Sequence, residues 1–164
     1  MCLIVDANVA VQFLVQPNAI IQWLLGERGS PRLVASGKLR EELAWHDGVR
    51  RLLVRLEQAG RLRAVEAGRL RQETARLHAS GCCVSNDLHV LALAIMSGAR
   101  TLATLDNGLA RDFRNVNIIN HPRGHIYRDP ATHAHLLRHT PSSCGIQLHE
   151  SRDRRIRRKQ KKSL

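Results

Sequence analysis

Four short stretches of this chain set an acidic residue at or just beyond the polar end of an apolar segment: Leu3-Ile4-Val5-Asp6-Ala7-Asn8, Leu39-Arg40-Glu41-Glu42-Leu43, Ser85-Asn86-Asp87-Leu88 and Thr101-Leu102-Ala103-Thr104-Leu105-Asp106. Gathered into one place, such carboxylates repel, because two unit charges about 4 Å apart interact by roughly 4 kcal/mol at an effective dielectric of 20. A nest of this kind takes up protons or holds cations. Mg²⁺ and Mn²⁺ prefer oxygen donors, orient a phosphate and lower the pKa of an attacking water. The formal net charge of +12 favours polyanionic partners. Acids suited to a metal in a basic protein predict metal-dependent cutting of a polyanion.

Each acid taken singly has a plainer reading. Asp87 follows Asn86 at a helix start, where either residue can cap backbone N–H groups. Asp106-Asn107-Gly108 is ordinary turn chemistry. Glu42 stands four residues after Lys38, a common surface pair on a helix, and Glu41 competes with it. Only Asp6, which closes a buried apolar run, stands out by itself.

The elements that must position these acids follow from the hydrophobic pattern. Cys2 to Val5 reads as a buried strand, Asn8 as the cap of a first helix, and Pro17 as part of the first turn of a second helix carrying Ile20, Ile21, Leu24 and Leu25. Arg32 to Ser36 predicts a second strand. Leu39, Leu43, Val49, Leu52, Leu53 and Leu56 then recur at helical spacing, so one long helix is expected from Gly37 to about Ala59. Arg61 to Val65 predicts a third strand, Glu66 to Ala79 an amphipathic helix, and Leu88 to Met96 a helix buried on nearly every side. Arg100 to Leu105 and Val116 to Ile119 are the expected fourth and fifth strands, with a short helix from Gly108 to Phe113 between them.

Strands alternating with helices imply an α/β fold, a three-layer α/β/α sandwich around a parallel sheet of four to five strands. Sites in such folds lie at the carboxyl ends of the strands. Asp6 and Asp106 end strands, and Glu42 and Asp87 sit near the starts of helices on the same edge, so the four acids are expected to converge.

At 164 residues with 43% hydrophobic content, the chain has room for one ordinary domain and an appendage. The expected divisions are a globular domain over 1–120, a His- and Pro-rich irregular extension over 121–150 with a helical stretch from Ala131 to His139, and a basic tail over 151–164. That tail holds eight Lys and Arg against one acid, most of the net charge, and Arg154, Arg155, Arg157, Arg158 and Lys159 are its candidate RNA-binding residues. Aromatics are only 3% of the chain, which leaves little for stacking bases. Cys2, Cys82, Cys83 and Cys144 show no CxxC spacing, so a disulfide framework is not expected. His133, His135, His139 and Cys144 match no strong zinc spacing. No leader peptide and no apolar run of about 18 residues is evident, and a cytoplasmic protein without a membrane span is expected.

Val5-Asp6-Ala7-Asn8, Ser36-Gly37-Lys38-Leu39-Arg40-Glu41-Glu42-Leu43, Ser85-Asn86-Asp87-Leu88-His89-Val90-Leu91-Ala92-Leu93-Ala94 and Thr104-Leu105-Asp106, taken in order and spacing over about residues 2 to 120, resemble the PIN domain. The resemblance implies a Mg²⁺- or Mn²⁺-dependent endoribonuclease with Asp6, Glu42, Asp87 and Asp106 as catalytic and metal-binding acids and Asn8 and Thr104 in support. It selects Glu42 over Glu41, because the family's acid directly precedes an apolar residue, here Leu43. Many members carry one more acid soon after the Thr-x-Asp motif. Here Asn107 follows Asp106 and Asp112 is the nearest candidate, which points to one tight metal rather than two. The resemblance also implies an RNA substrate, a toxin of a toxin–antitoxin pair with a protein inhibitor, and a homodimer. The competing expectation is a PIN-like module that binds RNA or protein without catalysis. A phosphoacceptor receiver domain, which also gathers acids on a parallel sheet, is disfavoured because the paired acids after the first strand and the lysine after the last are missing.

Overall fold

The computed structural model describes residues 1–27 and 29–138. Five strands, β1 (Cys2–Val5), β2 (Arg32–Val34), β3 (Leu62–Arg63), β4 (Thr101–Ala103) and β5 (His125–Tyr127), form one all-parallel sheet in the order β3-β2-β1-β4-β5. Helices flank it, so the chain is α/β as its alternating pattern predicts. Leu3, Ile4, Val5, Leu33, Val34, Leu102 and Ala103 have no exposed surface, which is the burial expected of parallel strands covered on both faces.

The first strand leads through a 3-10 turn (Ala7–Val9) into α1 (Ala10–Leu14) and then α2 (Ala19–Leu25). The turn is capped by Asp6, not Asn8: the Asp6 carboxylate accepts the Asn8 N–H at 3.3 Å. The second helix starts after Asn18, beyond Pro17. Asn18 Oδ1 accepts from the Ile20 and Ile21 N–H groups while its Nδ2 donates to the Gln12 and Phe13 carbonyls, tying the end of α1 to the start of α2.

The expected long helix is two helices, α3 (Gly37–Ala44) and α4 (Asp47–Gln58). His46 breaks the run: its extended backbone starts a new helix, and its Nδ1 accepts the Gly48 N–H at 3.1 Å. The helical spacing of the leucines continues across the break because both helices bury the same kind of face, so periodicity alone hides it. Next come α5 (Ala67–Ser80), ended by Gly81 at φ +60°, and α6 (Leu88–Ser97), ended by Gly98 at φ +76°, both left-handed caps that favour glycine.

The fifth strand is not Val116–Ile119. After α7 (Asn107–Arg114), Asn115 turns the chain: its side chain accepts the Asn117 N–H, and its carbonyl accepts from Ile118 and Ile119. Ile119 fills the core from a turn, while Val116 remains 48% exposed. The pairing goes to His125–Tyr127, which lies in the region expected to be irregular, with Leu102 opposite Ile126 and Ala103 opposite Tyr127. The loop between is held by Arg100, which is buried and donates to the carbonyls of Ala94, Ala99, Asn120 and Pro122. The last helix among the described residues, α8 (Pro130–Arg138), is capped by Asp129 and packs on α2 and β5. His139, Cys144 and the tail residues Arg154, Arg155, Arg157, Arg158 and Lys159 lie outside the described residues.

Cys2 is disulfide-bonded, contrary to the expectation of a chain without disulfides, whereas Cys82 and Cys83 are free thiols. No helix among the described residues is long and apolar enough to cross a membrane.

Candidate functional site

The chain runs outward from β1 through β2 to β3, then crosses back to β4 on the other side of β1 and on to β5, so the strand order reverses between β1 and β4. A parallel sheet opens a crevice at such a reversal, beyond the carboxyl ends of the strands. Val5 pairs with Ala103, so the residues that follow, Asp6 and Thr104, emerge side by side at that crevice.

Asp6 is 4% exposed. Its N–H donates to the Ala103 carbonyl at 2.9 Å, and its Oδ2 accepts the Thr104 hydroxyl at 2.8 Å. Thr104 Oγ1 in turn accepts the Asp106 N–H at 3.0 Å. Thr104 therefore fixes the Asp6 carboxylate and the Asp106 backbone at once. Burial pushes the Asp6 carboxyl above its usual range, the hydrogen bonds from Thr104 and Asn8 pull it down, and the charges of Asp87 and Asp106 push it up again.

Asp6, Asn8, Glu42 and Asp87 line one cavity of about 460 Å³, together with Val11, Trp45 and His46 from α1 and the α3–α4 break. Glu41 is exposed outside it. Asp87 stands at the N-cap position of α6, yet its side chain bonds no backbone N–H of that helix. Its own N–H donates to Ser85 Oγ, and the Ser85 loop is pinned from the other side by Asp112. Asp112 is 2% exposed, and its Oδ2 accepts the Val84 and Ser85 N–H groups at 2.9 and 2.7 Å. Asp112 thus anchors the segment that presents Asp87 and is not an additional ligand in the cavity.

Glu42 is engaged. Lys38 Nζ lies 3.5 Å from Oε1, and His89 Nε2 lies 3.2 Å from Oε2, a contact in which the carboxylate can only accept. Asp106 is exposed and outside the cavity lining; it caps α7 through its Oδ1 and the Leu109 N–H. It sits on the adjoining loop, close enough for its charge to act on Asp6. The fold thus brings Asp6, Glu42 and Asp87 to one cavity, with Asn8 at its wall, Thr104 behind it and Asp106 beside it.

Two residues here escaped the sequence reading. Trp45 is 83% exposed at the cavity wall, although the chain has only two tryptophans. Its signal was a Trp-His-Asp-Gly stop inside an apparently continuous helical pattern. Arg128, after β5, donates through Nε to the Thr104 carbonyl at 3.2 Å and through Nη2 to Asn107 Oδ1 at 3.0 Å, so it clamps the Asp106 loop. Nothing in its local sequence points to that role.

Asp6, Glu42, Asp87 and Asn8 offer carboxylate and amide oxygens to this cavity, the set that suits Mg²⁺ or Mn²⁺, beside the imidazole of His46, and Asp87 keeps its carboxylate clear of the helix it precedes. Among the described residues, no group of three or more His, Cys, Asp or Glu side chains is arranged to hold a metal ion as they stand. Comparisons with known proteins found no protein family, no curated protein and no solved structure that matches the chain.

Proposed function

We propose that the chain is a Mg²⁺- or Mn²⁺-dependent endoribonuclease whose centre is the crevice between β1 and β4. One observation carries this reading: the Asp87 carboxylate, at a helix start where it would ordinarily cap, shares a cavity with Asp6 and Glu42 instead. Such an assembly of acids costs stability, and a cation offsets that cost.

Asp6, Asp87 and the adjoining Asp106 are the residues that would hold the metal. When bound, it supplies a Lewis acid for the phosphoryl oxygen and a water of lowered pKa. The protein's own groups do the rest. Thr104 orients the Asp6 carboxylate. Glu42, steadied by His89, accepts the proton of the attacking water. The water oxygen adds to phosphorus in line with the departing ester oxygen, the P–O bond breaks, and the leaving oxygen takes a proton from solvent. The products are a phosphomonoester end and a hydroxyl end. Trp45 offers an exposed aromatic face for a base of the strand being cut.

The test is cleavage of mixed single-stranded and structured RNA with Mg²⁺, with Mn²⁺ and with EDTA, for the native chain beside Asp6→Asn and Asp87→Asn. Metal-dependent cutting that disappears in both variants supports the assignment; cutting that survives both sinks it. The second reading, a non-catalytic module that binds RNA or protein, is favoured by the engagement of Glu42 with Lys38 and His89. Native protein that binds RNA and never cuts it selects that reading. RNA as substrate, a toxin role with a protein inhibitor, a homodimer and a cytoplasmic location belong to the same proposal and rest on the PIN-domain resemblance; a neighbouring reading frame for a small DNA-binding protein is the observation that would support the toxin.

A further inference from the structure

A second cavity, of about 220 Å³, lies along the outer side of β5, between the end of α7 and α8. Arg114, Arg123, Arg128, His125, His133 and His135 line it, and no acidic side chain does among the described residues. We propose that this cavity seats a phosphodiester of the RNA strand that is bound at the acidic crevice. The inference rests on the nuclease reading of that crevice for the identity of the strand.

Three features argue for an anion of this size. The volume falls below the roughly 300 Å³ at which pockets for drug-sized ligands begin, so a phosphate suits it better than a whole nucleoside. The guanidinium groups offer planar pairs of donors matched to phosphate oxygens. His133 is committed as a donor as well. Its Nδ1 accepts the Arg128 and Asp129 N–H groups at 3.2 and 3.1 Å, so the neutral ring carries its proton on Nε2.

The backbone holds this arrangement. Gly124 passes so close to α7 that an added Cβ would lie 2.1 Å from the Phe113 carbonyl oxygen, and only glycine permits the approach that brings Arg123 beside Arg114. Crowding of like charge is already felt there: after burial, Arg123 and His135 are the influences that lower the His125 pKa. Asp129, the nearby acid, is occupied by the Ala131 N–H and the Thr132 hydroxyl at the start of α8.

Arg128 links the two cavities. It lines the basic one while its guanidinium holds the Thr104 carbonyl and Asn107 on the loop that carries Asp106. The basic cavity therefore shares a residue with the loop that borders the acidic crevice, and a strand bound at the crevice is its expected occupant.

The test uses the full chain in EDTA, where nothing is cut. Binding of a fluorescent single-stranded RNA 12-mer is measured by anisotropy across a chloride series for the native protein, for Arg114→Gln with Arg123→Gln, and for Arg50→Gln as a surface control, with circular dichroism to verify folding. The double variant should bind more weakly, with a log–log salt slope shallower by about 0.7 for each phosphate it no longer neutralises, and the control should match the native protein. Inorganic phosphate, at ionic strength matched with chloride, should displace RNA from the native protein more effectively than from the double variant. An unchanged slope, or an equal change in the control, overturns the proposal. So does phosphate that binds the native cavity without displacing RNA, because the ligand is then the free anion. Cleavage by native protein with Mg²⁺ or Mn²⁺ is scored separately: its absence beside an altered slope defeats the nuclease reading alone, and its presence beside an unaltered slope defeats the phosphate cavity alone.

Discussion

Asp87 occupies the residue before α6, where a carboxylate ordinarily turns back onto the first N–H groups of the helix, and it does not. Asp112 provides the reason that this geometry holds. Its carboxylate takes the two N–H groups of Val84 and Ser85, so the loop reaches α6 already oriented. Asp112→Ala should leave those donors without a partner and lower stability by about 1–3 kcal/mol, read by urea unfolding, with cleavage falling as Asp87 loses its place. A stable Asp112→Ala protein with full activity would show that the loop is held by something else. The pair also shows why residue type misleads: Asp112 is as acidic as Asp87, and only its buried hydrogen bonds mark it as structural.

At the scale of elements, the break between α3 and α4 puts Trp45 and His46 on the wall of the candidate site. A continuous helix would carry the chain past the crevice. The break at His46 instead leaves Trp45 on the cavity wall, three residues after Glu42. An indole this exposed leaves apolar surface in water at a cost, and stacking a base recovers about 1–3 kcal/mol. Trp23→Phe leaves Trp45 as the sole tryptophan of the chain. Single-stranded RNA should then quench its fluorescence, a duplex of the same sequence should not, and Trp45→Ala should weaken single-strand binding by about tenfold or more. RNA binding without any change in that fluorescence would remove Trp45 from the substrate path. Packing between elements is also specific at the far edge of the sheet, where Phe13 of α1 meets Tyr127 of β5 edge-on at 5.8 Å between ring centres, an arrangement worth about 0.5–1.5 kcal/mol. That packing secures β5, which carries Arg128 to the Asp106 loop.

Over the whole molecule, the acids of the crevice bear on folding as well as on the proposed cleavage. The Asp6 carboxyl is raised above its ordinary value, so the folded chain binds its proton more tightly than the unfolded chain does. Stability therefore falls as pH rises from the unfolded value through the folded one, and at neutral pH ionised Asp6 opposes folding. Asp6→Asn should keep or raise the metal-free unfolding midpoint while abolishing cleavage. Mg²⁺ or Mn²⁺ should raise the midpoint of the native chain, by the equivalent of about 2.7 kcal/mol at a hundredfold excess over Kd, and leave Asp6→Asn unmoved. A metal-induced shift equal in both proteins would place the ion elsewhere.

The alternating apolar pattern by itself determined the α/β class, the first four strands and Asp6 at the end of the first, because burial on both faces of a parallel sheet demands near-continuous apolar runs whatever the strand order, whereas Asp106 lies beyond the end of the fourth strand and caps the next helix. Composition likewise determined the excess of positive charge, which is a sum over residues and needs no fold. Tertiary structure alone decided the rest. The order β3-β2-β1-β4-β5 depends on which strands pair, and that pairing puts Asp6 beside Thr104. His125–Tyr127 displaced Val116–Ile119 as the fifth strand because Asn115 spends its hydrogen bonds on a turn, a local choice that apolar residue types do not reveal. Arg128, Arg114 and Arg123 line one basic cavity where Gly124 passes against Phe113 at the end of α7. Apolar periodicity is a property of neighbours along the chain, whereas a site is made by neighbours in space, and strand pairing is the step that converts one into the other.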